Sequence, residues 1–241
     1  MNTRLIGSAF LSLGIAGTLS GDVISSYYNS YLDYGWHIEH MPDFDQDRIG
    51  LPEANGGVPG GNYCVPTACT NLFAYMASHG FPTIGPEFAD WENEEDYGDV
   101  TAFIDDLGDD MFTSATSGTN AITAYGAMLA KVLWHTGGRF TVDQEMWTPW
   151  NDVTLREMAR AGINDDAIQV FSYGVYKEIG TDFWGDLVIW REGGHCMTLV
   201  GAARNGTYQN VRASDPHYII TPDRFLRCYP PNSKSHKWSS N

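Results

Sequence analysis

The sequence predicts an α+β protein, helical in its first half and β-rich in its second. Three observations carry this. Apolar residues recur at helical spacing through residues 64–138. From residue 168 the period shortens to β-prone runs separated by Gly, Asp and Asn. The 241 residues, 43% hydrophobic and 13% aromatic, suffice for one domain or for one domain with two lobes.

Taken in order, residues 1–20 resemble a secretory leader. Arg4 is a short positive region, Leu5 to Gly17 an apolar stretch too short to span a bilayer with ease, and Thr18-Leu19-Ser20 a small-x-small cleavage pattern before Gly21. A buried N-terminal helix is the alternative, disfavoured by Gly7, Gly14 and Gly17. The expectation is a secreted or periplasmic mature chain of residues 21–241 with no membrane span. Residues 22–62, with Pro42, Pro52, Pro59 and two Gly-Gly pairs, read as an irregular loop.

A helix is expected from Cys64, with Val65, Ala68, Cys69, Leu72, Phe73 and Met76 on one stripe and Pro66 in its first turn. Gly80 and Pro82 end it. Val100, Phe103, Ile104, Leu107 and Met111 give a second amphipathic helix. Asn120 caps a third, through Ile122, Tyr125, Leu129, Val132 and Leu133 to Gly137-Gly138. Thr154 and Glu157 suggest a short helix ending near Gly162. Strands are expected at 168–176, 184–190, 196–203 and 208–213, and a loose tail from Pro230.

Net charge is −16, and all of it lies in the first half: residues 1–130 hold two basic residues against 18 acidic ones, whereas residues 131–241 are balanced. This disfavours nucleic acid and anionic membrane as partners, since both need a basic surface. The acidic stretch Glu92 to Asp110 reads as a solvated face. Four Cys are too few for a disulfide scaffold.

The chemistry-bearing residues are a Cys, a His and an Asp. Cys64 opens a helix, where unpaired N–H groups and the helix dipole are expected to lower a thiol pKa. A lone Cys there is more commonly a small buried hydrophobe. His195 follows Gly193-Gly194 and heads the apolar run Cys196 to Gly201. On its own it reads equally well as a structural His bonded to a turn carbonyl. Asp215 ends a strand before Pro216, either to orient His195 or as a turn residue.

Tyr63-Cys64-Val65-Pro66-Thr67 resembles the Cys-Gly-Pro-Thr/Ser signature of the double-glycine (bacteriocin-processing) peptidase-like branch of the papain-like cysteine peptidase superfamily. Gly194-His195-Cys196-Met197-Thr198-Leu199-Val200-Gly201 looks like that branch's Gly-His strand, and Asp215-Pro216 like its Asp-Pro. The resemblance spans roughly residues 40–230 by order and spacing, with three short motifs matching closely. Val65 stands where the branch has Gly, and Val58-Pro59-Gly60 occupies the stretch where the branch has its oxyanion Gln. Gln46 supplies that donor if the Gly-rich loop folds back; Asn62 is the rival. No transporter is attached, so a role in peptide export does not carry over.

The resemblance implies a two-lobe papain-like fold, with a helical lobe about 60–138 and a β-rich lobe about 139–230. It implies peptide or protein amide hydrolysis by Cys64, His195 and Asp215 with no cofactor. Acyl transfer by the same site, or a papain-like binding module without turnover, are the alternatives. A nucleophilic Cys64 must stay free, so at least two free thiols are expected. Weaker candidates are His37 and His40 as helical metal ligands, Asp43-Phe44-Asp45-Gln46-Asp47 as a calcium loop without its glycine, and His217 in place of His195. Trp134, Trp147, Trp150, Trp184 and Trp190 are expected in the core or a groove wall.

Overall fold

The computed structural model describes residues 3–14, 27–30, 33–38, 40–54, 56–86, 94–146, 167–181, 183, 187–205, 208–216, 219–221 and 224–228. Among these residues there are three helices, α1 (Cys64–Ser78), α2 (Glu94–Asp110) and α3 (Ala121–Thr136). Three strands precede them, β1 (Thr3–Gly14), β2 (Tyr27–Ser30) and β3 (Asp33–His37). Six follow: β4 (Thr141–Met146), β5 (Ile168–Thr181), β6 (Leu187–Asn205), β7 (Tyr208–Pro216), β8 (Ile219–Thr221) and β9 (Arg224–Cys228). The class is α+β, as the change of period implies.

The strands form one sheet in the order β4-β1-β5-β6-β7-β9-β8, antiparallel throughout except β7 against β9. β5 borders β6 from Leu187 to Leu199, and β3 borders it from Gly201 to Asn205. Because β7 pairs with the same far end of β6, β3 continues the edge that β5 leaves. The expected strand 196–203 and the described part of the expected strand 184–190, residues 187–190, are thus one. The glycines between them cross to β5 in register, Gly194 opposite Gly174 and Gly193 opposite Val175, so a glycine pair that reads as a turn is mid-strand. β2 and β3 lie in the stretch expected to be irregular, and β1 lies where the leader is expected, between β4 and β5.

α1 sits at the centre. The sequence implies one apolar stripe, yet every residue from Pro66 to Ala77 is buried. A helix buried on all sides must satisfy its polar groups internally. Thr70 Oγ1 donates to Pro66 O at 2.8 Å. Asn71 accepts from the Phe44 N–H at 3.0 Å and donates to Thr198 Oγ1 at 3.0 Å, and Thr198 donates to Ala68 O at 3.1 Å. Asn71 therefore ties the loop before α1 and strand β6 to one face of the helix.

α2 buries Val100, Ile104 and Leu107, and Met111 just beyond it is buried too, as the spacing predicts, while Phe103 is partly buried. In α3 the caps are as read: Asn120 accepts from the Ile122 N–H at 2.8 Å, and Gly137 ends the helix in the left-handed region at φ 62°. Its buried stripe is rotated, however, to Ala124, Met128 and Val132; Ile122 and Leu133 are exposed. Trp134 and Trp190 are also exposed, against expectation, while Trp147, Trp150, Trp184, the 154–162 helix and the tail from Pro230 lie outside the described residues.

Candidate active site

The loop before α1 sets the approach to Cys64. Gly60, at φ 73°, lies with its α-carbon against the Gln46 carbonyl, where any Cβ would collide with that oxygen. Gln46 Nε2 donates to Gly61 O at 3.2 Å. The Gly-rich loop does fold back, so Gln46 lies beside the residues that lead into Cys64. Its Oε1 is buried without a hydrogen-bond partner, as is Thr67 Oγ1 in the first turn of α1. Asn62 donates to Ala115 O instead, which anchors the loop to the segment after α2.

Arg48 fixes the other end of this loop. It is buried, donates to Thr101 Oγ1 at 2.9 Å and Tyr97 O at 3.0 Å, and lies 3.9 Å from the centre of the Tyr97 ring. Asp45 accepts from the Asp47 N–H at 2.9 Å, a turn-forming role, and burial raises its carboxyl above the usual range. Among the described residues no group of three or more His, Cys, Asp or Glu is placed to hold a metal ion. His37 and His40 do not share a helix: His37 is in β3 with Nδ1 3.1 Å from Val200 O, and His40 is at φ 55° in the turn beyond.

Cys64 is the first residue of α1 and is half-buried. Burial pushes its thiol above the ordinary value, and the backbone N–H groups of Cys196, Val65 and Cys64 itself offset this only in part. The direction is opposite to the expected lowering: β6 packs on the start of α1, and burial outweighs the N–H groups that reach the sulfur. Cys64, Cys69 and Cys196 are all free.

His195 is inside β6 rather than at its head. The Cys64 sulfur meets the N–H of the peptide that joins His195 to Cys196. The imidazole itself packs edge-on to Tyr173, centroids 5.9 Å apart, and burial alone pushes it down to about 4. Pairing from Gly193 to Leu199 is regular, so side chains alternate. Cys196 shares a face with Thr198, the face that bonds α1, and His195 shares the other with Met197. The structure thus brings Cys64 to the backbone of His195 and sets the ring against Tyr173.

Asp215 lies near the end of β7, beyond the Leu199–Ala213 pair that is the last one β7 makes with β6. His217 lies outside the described residues. Two features were not legible beforehand: Asn71 as the junction of loop, helix and sheet, and Cys196 as a thiol facing α1. An amide among apolar helix positions was the available signal for the first, and the two-residue step from Cys196 to Thr198 for the second. No family model, curated protein or solved structure matches this chain, and the resemblance rests on its three short motifs.

Proposed function

We propose that the chain is an exported papain-like cysteine peptidase, with a helical lobe and a β-rich lobe and with Cys64, His195 and Asp215 as its catalytic groups. The observation that carries this is the contact of the Cys64 sulfur, at the start of the central helix, with the peptide N–H next to His195. In this reading the Cys64 thiol attacks the substrate carbonyl as His195 takes its proton, and the imidazolium protonates the leaving amine. Asp215 orients the imidazole, and water hydrolyses the thioester. The backbone N–H of Cys64 and the Gln46 side-chain amide, whose Nε2 carries a second proton besides the one given to Gly61 O, supply the oxyanion donors. Asn62, engaged with Ala115, is the weaker donor. The same thioester passed to an amine gives acyl transfer. No cofactor enters these steps.

A binding module without turnover is the second reading. It is favoured by the ring of His195 facing Tyr173 and by two groups that both rest uncharged. Hydrolysis of peptide substrates by the purified chain separates the two. In the peptidase, Cys64→Ser abolishes turnover and His195→Ala costs nearly as much, since the two act as one unit. Asp215→Asn costs less, and Gln46→Ala lowers kcat by about 10²-fold. Full activity in Cys64→Ser, or a larger loss in His217→Ala than in His195→Ala, refutes the assignment.

A further inference from the structure

Three of the four cysteines gather where α1 meets β6. Cys69 and Cys196 are wholly buried, Cys64 half-buried, and all belong to or pack against one apolar cluster. Negative charge on Cys64 disfavours a thiolate at both Cys69 and Cys196, and charge on Cys196 disfavours one at Cys69.

Not every pair among them can bridge. Five residues of α-helix advance by about 7.5 Å, beyond the Cα separation that a disulfide accepts, so Cys64 and Cys69 cannot join without unwinding the helix. Cys69 and Cys196 are both closed to solvent. Cys196 points to the α1 side of β6, as Thr198 does two residues on. Thr198 meets Ala68, one turn into the helix; Cys196 meets its first turn, with its N–H on the Cys64 sulfur.

We propose that Cys64 and Cys196 form a reversible disulfide, with Cys64 the thiol that reacts first and Cys196 the resolving thiol. The oxidant is a low-molecular-weight disulfide. Cys64, as thiolate, attacks one of its sulfurs and expels one thiolate, leaving a mixed disulfide. The Cys196 sulfur, losing its proton, attacks the Cys64 sulfur and expels the second thiolate. Two protein thiols are oxidised to one disulfide, and one small disulfide is reduced to two thiols. The functional consequence, an inhibited peptidase in oxidising surroundings, rests on the reading above; the bond itself does not.

The test uses the full chain, oxidised glutathione at pH 8.5, acid quench, alkylation and mass mapping without reduction. The expected product is a Cys64–Cys196 cross-linked peptide pair, cleaved by dithiothreitol, with loss of Cys64 alkylation in the oxidised protein. Cys69→Ser still forms it, whereas Cys196→Ser stops at a stable Cys64–glutathione adduct. A stable adduct in the unaltered chain, a bridge from Cys64 to Cys69 or Cys228, or a Cys64 that reacts only after denaturation overturns the proposal. Mapping reads the bond whether or not the protein hydrolyses peptides, so a bridged but inactive chain sinks the peptidase reading and leaves the disulfide standing.

Discussion

A thiol and an imidazole held as an ion pair shift toward each other, the thiol down and the imidazole up. Cys64 and His195 shift the opposite way, because each is desolvated by β6 and its neighbours. Both groups therefore rest uncharged near neutral pH, and in the proposed peptidase the proton would pass from sulfur to nitrogen only as substrate is attacked. This has a consequence for stability. His195 at about 4 in the folded chain compares with an ordinary 6.5, so between those values the unfolded chain binds more protons. Stability falls as pH drops through that window and levels off below about 4. The contribution is on the order of 3 kcal/mol. Urea midpoints at pH 7 and pH 4.5 check it: the drop should be smaller in His195→Gln than in the unaltered chain. Equal drops in both would place the titrating group elsewhere. The same shift puts the acid limb of any peptidase activity near pH 4, where the neutral base is lost.

At the scale of elements, the joint between loop, helix and sheet turns on Asn71. Its two hydrogen bonds connect Phe44, two residues before Gln46, to Thr198, two residues after Cys196. Removing the side chain takes away the hydrogen bond that the buried Phe44 N–H donates, at about 1–3 kcal/mol. Asn71→Ala is expected to lower the unfolding free energy by that amount, read as a lower urea midpoint at unchanged slope, and to lower kcat as well if Gln46 donates to the oxyanion. An unchanged midpoint would mean that the loop is held by Arg48 alone. The helices were legible in the sequence because their signals are local: a 3.6-residue period, Asn120 at one end of α3 and Gly137 at the other. Which face of α3 is buried was not, since Ile122 and Leu133 fit the period as well as Met128 does, and only packing chooses. The length of β6 was hidden for a related reason. Gly193-Gly194 breaks a strand by propensity, but opposite Gly174 it completes one. For the site, the position of Cys64 at a helix start was legible. Its protonation was not, because the cover that desolvates it comes from a strand about 130 residues further along the chain.

At the scale of the whole molecule, the first twenty residues carry two assignments that exclude each other in one mature chain. Thr3–Gly14 pairs with β4 on one side and β5 on the other, an interior strand of the sheet. The same residues have the charged, apolar and small-residue order of a leader. Both uses accommodate an apolar run of this length, in a sheet interior or in a membrane-targeting leader, so composition does not choose between them. No helix among the described residues is long and apolar enough to cross a membrane. We expect cleavage, with the exported chain starting at Gly21 or Asp22. The sheet then loses β1, and β4 and β5 each gain an unpaired edge along the residues that β1 had bonded. N-terminal sequencing of exported material decides the matter. A start at Gly21 or Asp22 assigns the segment to targeting. A start at Met1 or Asn2 assigns it to the sheet, and truncation to Gly21 should then lower the thermal midpoint sharply, because an interior strand supplies hydrogen bonds to two neighbours at once.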